Sequence, residues 1–319
     1  MHDHSVPAVN LPIRGTCFLL FSTLICGYAY SQKTIAITID DVPNVGLYES
    51  NQYRSTLLKR LDSLQLPIAI FINEANVYRT DSIGRNTSLL GEWAARRYVT
   101  LGNHSYSHPA YSMVGFTRFS EEVTKGEQIT TRLARKEKKD VRYFRFPFND
   151  LGKDSAEHLA IRNFLHKEGY LIAPFTVESQ DWMYTVLYER YLKEGNPSEA
   201  KRVAMKYVDL TLSRLDYFEG LADARYHRPI AQIYLCHDNA LNADYLPVLI
   251  KAFKARKYSF VSLAEALKDD VYNLEDYYQG KAGFSWIYRW IKDPQERMKL
   301  MRAEPEDKAS GDLYEKTLK

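Results

Sequence analysis

The feature that most constrains this chain is a rhythm. Seven short apolar runs rich in β-forming residues recur along it: "TIAITI" (34–39), "PIAIFIN" (67–73), "YVTLG" (98–102), "VRYFRF" (141–146), "YLIAPFTV" (170–177), "IAQIYLC" (230–236) and "YSFVSL" (258–263). Between them lie longer amphipathic stretches such as "NQYRSTLLKRLDSLQ", "SEEVTKGEQITTRLARKEKK", "DSAEHLAIRNFLHKEG" and "NADYLPVLIKAFKARK". Several open on a capping Ser, Asn or Asp, and one stops at Gly169. Strand followed by helix, repeated, requires parallel strands joined by right-handed crossovers, in either an open doubly wound sheet or a closed barrel. In both architectures reactive side chains gather at the C-terminal ends of the strands.

The longest interruption, residues 183–229, contains "PSEAKRVAMKYVDLTLSRLDYFEGL", which predicts a long helix and hence an elaborated connection before the sixth strand. After about residue 269 the rhythm stops, and an aromatic and then charged segment follows. Trp286, Tyr288 and Trp290 there either pack back on the domain or wall a substrate site. At the other end, Arg14 precedes "CFLLFSTLICGYAY" (17–30), too short for a comfortable membrane span and suited to a signal-peptide core. Cleavage after "AYS" would leave Gln32 first; the long, partly acidic "MHDHSVPAVNLP" before it leaves an uncleaved anchor open. The expected division is therefore 1–31 leader, 32–268 catalytic domain and 269–319 C-terminal extension packing on the domain, in a chain exported to the periplasm, cell surface or medium. Cys17 and Cys26 sit in the leader, so Cys236 is alone afterwards and no disulfide holds the domain together. With 43 Lys+Arg against 40 Asp+Glu the net charge is only +3, which gives no reason to propose a nucleic-acid partner. The basic "RLARKEKKD" (132–140) reads as the C-terminal end of a helix. The 24 Tyr suit a surface on which sugar faces stack, and equally suit ordinary packing.

What stands at the strand ends is selective. The first run ends in Asp40-Asp41, the third in "GNHSYSHP" with His104 and His108, and the fourth in "RFPF" with Arg145, Pro147 and Phe148. The fifth leads to "ESQDW" with Asp181 and Trp182, and the sixth is "LCHD" with Leu235 and His237. His158 and His166 fall within a helical stretch and read as surface or packing residues. Two imidazoles four residues apart, with one carboxylate, make a three-ligand metal site with open positions; alone, the pair is a weak signal that reads more often as solvated or capping histidines. Adjacent strand residues point to opposite sides, so two neighbouring acids should divide labour: one ligates, the other takes a proton from the water the ion activates. Neighbouring acids are too close for a glycosidase pair, whose carboxylates stand roughly 5–9.5 Å apart. Two capping acids before a helix remain the ordinary alternative.

Taken together and in order, "TIDDVP", "HSYSH", "RFPF", "ESQDW" and "IYLCH" resemble the five motifs of the polysaccharide deacetylase family, carbohydrate esterase family four, over about residues 34–268. The resemblance implies a distorted (β/α)7 barrel, mostly parallel. It implies Asp40 as general base, Asp41, His104 and His108 as ligands of one divalent metal (usually zinc, sometimes cobalt or nickel), and His237 as the acid that protonates the leaving amine. Asp181 would orient and charge that histidine, Arg145 would hold the base, the backbone near Pro147 and Phe148 would bind the oxyanion, and Trp182 and Leu235 would wall the acetyl methyl. Val42, Phe148 and Glu178 depart from the family's usual Gly, Tyr or Trp, and Asp; none removes a ligand or a proton-transfer group, so they bear on the substrate. The implied activity is removal of N-acetyl groups from amino sugars of a polysaccharide such as peptidoglycan, a chitin-like polymer or an exopolysaccharide. The rivals are a hydrolase of O-acetyl esters or cyclic amides on the same scaffold, and a glycan-binding protein that has lost turnover.

Overall fold

The computed structural model of the protein describes residues 1–2 and 32–318; apart from its first two residues, the expected leader with Cys17 and Cys26 lies outside the described residues. Among the described residues eight strands form one parallel sheet: β1 (Thr34–Val42), β2 (Ile68–Ile72), β3 (Val99–Asn103), β4 (Val141–Phe144), β5 (Leu171–Ile172), β6 (Val177–Glu178), β7 (Gln232–His237) and β8 (Ser259–Phe260). Their order is β5-β4-β3-β2-β1-β7-β6, with β8 beside the start of β1. Helices cover the outside, so a central strand such as β2 is buried along its whole length, as its unbroken "IAIFI" requires. This is the distorted (β/α)7 barrel.

The fifth run differs from the expectation of a single strand. It splits at Ala173–Thr176 into β5, which pairs with β4, and β6, which pairs with β7. One run therefore supplies both edges of the sheet and turns the barrel's open side into a seam. Pro174 lacks the N–H a continuous ladder needs. The backbone groups freed by the break find other partners, as buried polar groups must. Ala173 N–H donates to Phe144 O at 2.8 Å and Thr176 N–H to Ile233 O at 2.9 Å. Arg145 Nε donates to Ala173 O at 2.7 Å and its Nη2 to Pro174 O at 3.2 Å. Phe175 O accepts from Trp286 N–H at 3.0 Å, and Thr176 O from Ser285 Oγ at 2.7 Å.

The last two bonds come from the C-terminal segment, which is stitched to the barrel. Trp286, Ile287, Tyr288, Trp290 and Ile291 are buried in the same core as the sheet. Buried Asp276 meets Arg289 at 2.6 Å and Arg162 at 2.5 Å, and His158 Nε2 lies 3.2 Å from Gly280 O. His158 is thus a packing residue, and it packs the extension. The long helix expected before the sixth strand runs Pro197–Tyr226, capped by Asn196 and preceded by a helix at Asp181–Lys193. The stretch around residues 120–139 forms two helices, Tyr111–Lys125 and Gln128–Lys136, interrupted at Gly126. A Cβ on Gly126 would fall 2.6 Å from the Ser105 carbonyl carbon, so the glycine lets the loop carrying the two histidines lie against this break. Cys236 is a free, buried thiol.

Ser285→Ala should cost about 1–3 kcal/mol in urea unfolding, because Thr176 O loses its buried donor and the Trp286–Arg289 turn its cap.

Candidate active site

The two neighbouring acids reach the same mouth because β1 does not stay regular. Ile39 pairs with Ile70 but Val42 with Ile72, so one extra residue is accommodated on β1 as a bulge. Asp41 takes a left-handed conformation at φ 62°, which turns its side chain out of the alternation a flat strand would impose. Asn76 Nδ2 donates to the Asp41 carbonyl at 3.1 Å and holds the turn. Asp40 lies deeper, 2 % exposed, opposite His237 in the β1–β7 register.

His104 and His108 follow β3 in a loop with two left-handed residues, Ser105 and His108, which brings the rings back to 4.8 Å between centroids. Ser105 Oγ accepts from His108 N–H, and Glu122 accepts from Ser107 N–H at 2.7 Å, fixing the loop. Asp41 Oδ1 stands 3.4 Å from His108 Nε2 and 3.7 Å from His104 Nε2. The three ligand atoms lie within 4.8 Å of one another. His104 Nδ1 lies 2.7 Å from Arg145 O, so that nitrogen carries the hydrogen and Nε2 keeps its lone pair. Burial, opposed by nearby Asp41, pushes His104 down to about 4; burial and the neighbouring His104 do the same for His108. Both rings are thus neutral near pH 7, the form that binds a metal. This donor set fits a divalent ion.

Arg145, fully buried, reaches Asp40 Oδ2 at 3.4 Å, while Asp40 Oδ1 is buried without a hydrogen-bond partner. Burial raises the Asp40 carboxyl above its ordinary range, with Arg145 opposing. Across the mouth, Asp181 at the first position of its helix holds His237 twice. Its Oδ1 lies 2.7 Å from His237 Nδ1, and its Oδ2 accepts from the His237 backbone N–H at 2.8 Å. Burial alone would discharge this imidazole, but Asp181, with Asp41 and Asp40 beyond it, raises it to about 10. Buried Pro147 begins a turn from which the exposed Phe148 ring emerges, edge-on to His108 at 4.6 Å.

Asp40, Asp41, His104, His108, Phe148 and His237 line a cavity of about 480 Å³ that Trp182 and Leu235 also wall. A second cavity of about 340 Å³, lined by Asn44, Arg79, Thr185 and Asp238 among others, adjoins it. Asp41, Trp182 and His237 face both. Sequence reasoning did not find Asn239 and Asn242, whose amides donate to Asp181 Oδ2. Asn239 caps the next helix, so its place after the sixth strand was a usable signal. Phe175 and Gly283, also on the larger cavity, belong to no motif.

A family model described as polysaccharide deacetylase matches residues 27–164, which carry the acid pair, both histidines and Arg145. Over those residues the chain is similar to the polysaccharide deacetylase family. A curated relative, the peptidoglycan-N-acetylglucosamine deacetylase of Bacillus cereus, is 23% identical over 153 residues, 48% of this chain and 48% of that protein. The chain thus spans about half the length of the curated relative it matches. Among solved structures, Bacillus subtilis PdaA, a family 4 carbohydrate esterase, shares the fold at a TM-score of 0.50 and 18% identity, covering 74% of this chain and 81% of that one. A CE4 family pseudoenzyme from Bacillus anthracis aligns at a TM-score of 0.47 and 18% identity over 74% and 66%.

The Asp181–His237 pair has a definite pH window. A histidine raised above its unfolded value contributes stability that is complete below about 6.5 and is lost as pH rises through about 10. In the metal-free protein, Asp181→Asn should therefore be more destabilising at pH 6 than above pH 10, and NMR titration should find His237 moved down from about 10.

Proposed function

We propose that the chain is a metal-dependent hydrolase that removes N-acetyl groups from amino sugars of a polysaccharide. The observation that carries this reading is the pairing across the mouth of Asp40, with one oxygen held by Arg145 and the other free, and His237, charged by Asp181. Asp41, His104 and His108 would hold one divalent ion, zinc or alternatively cobalt or nickel, which when bound lowers the pKa of a coordinated water and polarises the acetyl carbonyl.

The remaining work falls to the chain. Asp40 Oδ1 has no other partner and takes the proton of the attacking water, while Arg145 fixes the carboxylate's angle and favours its ionised form. The backbone N–H of Phe148 supports the developing oxyanion. Leu235 and Trp182 bound the space for the methyl. His237 keeps Nδ1 on Asp181 and delivers the proton from Nε2 to the nitrogen as the C–N bond breaks, releasing acetate and an amine. An amine is a poor leaving group unless protonated, and a strongly held imidazolium favours the amide over the O-acetyl ester rival. Two adjoining cavities meeting at the reacting centre suit a sugar with neighbours better than a lone acetamide. Peptidoglycan, chitin-like polymers and exopolysaccharides meet that description, and export of the chain would bring it to them.

Asp40→Asn should lower acetate release from N-acetylated glycan by about 10²-fold or more while bound zinc is unchanged. Release should be bell-shaped in pH, with Asp40 deprotonated on the acid limb and His237 protonated on the alkaline limb. Near-wild-type release by Asp40→Asn would sink the assignment. Equal release from O-acetylated glycan would favour the ester reading, and stoichiometric zinc with no turnover on any glycan would favour the binding protein.

A further inference from the structure

The extension touches the catalytic cleft on both sides. On one side, Gly283 lines the larger cavity and presses against the Phe148 turn. A Cβ at Gly283 would stand 1.8 Å from Phe148 O and 2.9 Å from Asn149 Cβ, so no other residue fits without displacing that turn. The turn itself is unusual, since Phe148 and Asn149 are consecutive non-glycine residues in the left-handed region, at φ 56° and 50°. Each such residue costs about 1–2 kcal/mol, so surrounding packing has to hold it there. On the other side, Tyr314, in the helix Lys308–Thr317, packs edge-on against Trp182 at 5.5 Å between ring centroids. Trp182 is half exposed and faces both cavities, so its tilt fixes how they join.

Both contacts are anchored. Gly283 lies between the buried Asp276 cluster and the seam bonds of Ser285 and Trp286. The helix bearing Tyr314 is tied down by Asp307, which accepts from Tyr184 Oη at 3.1 Å and Lys206 Nζ at 3.2 Å. Arg214 adds a link, 3.1 Å from Glu304 on the extension and 3.6 Å from Glu178 on the cavity wall. A tail that merely covered core would need none of these contacts at the mouth.

We propose that the C-terminal extension sets the width of the cleft, Gly283 bracing the Phe148 turn and Tyr314 bracing Trp182, and thereby selects how many sugars around the scissile acetamide are accepted. Gly283 and Tyr314 are positioning residues, acting through Phe148 and Trp182. The selection rests on the deacetylase reading above; the bracing does not.

The test uses the zinc-loaded protein and its Gly283→Ala, Tyr314→Ala, Tyr314→Phe and Gly311→Ala variants. Gly311 shares Tyr314's helix but has open space around it. Acetate release from N,N′-diacetylchitobiose and tetra-N-acetylchitotetraose is compared, and amide hydrogen exchange is followed over residues 146–151 and 180–187. Gly283→Ala should speed exchange over 146–151 and lower kcat on both glycans about tenfold. Tyr314→Ala should speed exchange over 180–187 and change the tetramer-to-dimer ratio of kcat/KM about tenfold, while Tyr314→Phe and Gly311→Ala match the wild type. Zinc content should stay stoichiometric in all. Wild-type exchange and wild-type ratios in both Gly283→Ala and Tyr314→Ala would overturn the proposal. So would uniform loss on both glycans accompanied by loss of zinc in both, which marks a purely structural role. If the wild type releases no acetate from either glycan, selection among chitin-type sugars falls, the deacetylase reading is decided on the other glycans by the Asp40→Asn comparison, and the exchange data decide the bracing.

Discussion

The buried guanidinium of Arg145 is the interaction on which both the barrel and its mouth depend. It is fully buried, and removing such a charge from water is tolerable only when its donors are satisfied. Its Nη1 meets Asp40, its Nη2 Thr38 Oγ1 and Pro174 O, and its Nε Ala173 O, while its plane lies over the Phe71 ring at 4.6 Å. Its own carbonyl accepts from His104 Nδ1–H. One residue thus ties β1, β2 and β4 to the loop after β3 and to the seam between β5 and β6. The seam needs a multivalent donor where the ladder breaks, and the acid needs a fixed cation beside it. A planar fork meets both requirements, which a lysine's single point charge could not.

The seam also explains why the extension belongs to the site. A closed ladder would satisfy its own backbone, whereas the break at 173–176 leaves carbonyls that a neighbouring segment can cap. Arg145 takes two from inside, and Trp286 and Ser285 take two from outside. Phe175, whose carbonyl is capped from outside, faces the larger cavity. The same short stretch therefore bonds to the arginine that orients Asp40 and to the segment that carries Gly283.

Much of this was legible in the sequence, for a physical reason. Strand ends are where a βα fold must place exposed chemistry, so Asp40, Asp41, His104, His108, Arg145, Asp181 and His237 could be singled out from order alone. Their convergence could not. That Asp41 turns toward Asp40's side depends on a bulge and one left-handed residue, and the letters "TIDDVP" encode neither openly. The split of the fifth run was half visible in Pro174; its necessity appears only when Arg145 occupies the break. Gly283 and Tyr314 left no periodic or chemical signature, because their roles come from contacts across more than a hundred residues of chain.

Three histidines around one mouth end up in opposite charge states, and the cause is which partner each can reach. His104 and His108 share Asp41 between them, and burial outweighs what one shared carboxylate can return, so both lose their protons near neutrality. His237 meets Asp181 at the ring and at the backbone, and the Asp181 carboxyl, against its burial, is held below its ordinary range chiefly by His237 itself, with Asn242 adding a hydrogen bond. That separation is what the proposed chemistry needs, neutral nitrogens on the side of the ion and a charged one on the side of the leaving group. It arises from helices rather than strands. Asp181 and Asn239 both stand at helix starts that follow strands of the seam side, β6 and β7. The half of the site proposed to hold the metal is thus built by β1 and the loop after β3, and the half proposed to donate the proton by the elements beside the seam. The family model ends at residue 164, before the second half begins. Differences in how a relative treats its substrate's leaving side would accordingly be sought after residue 164, where this chain carries its long connection and its extension.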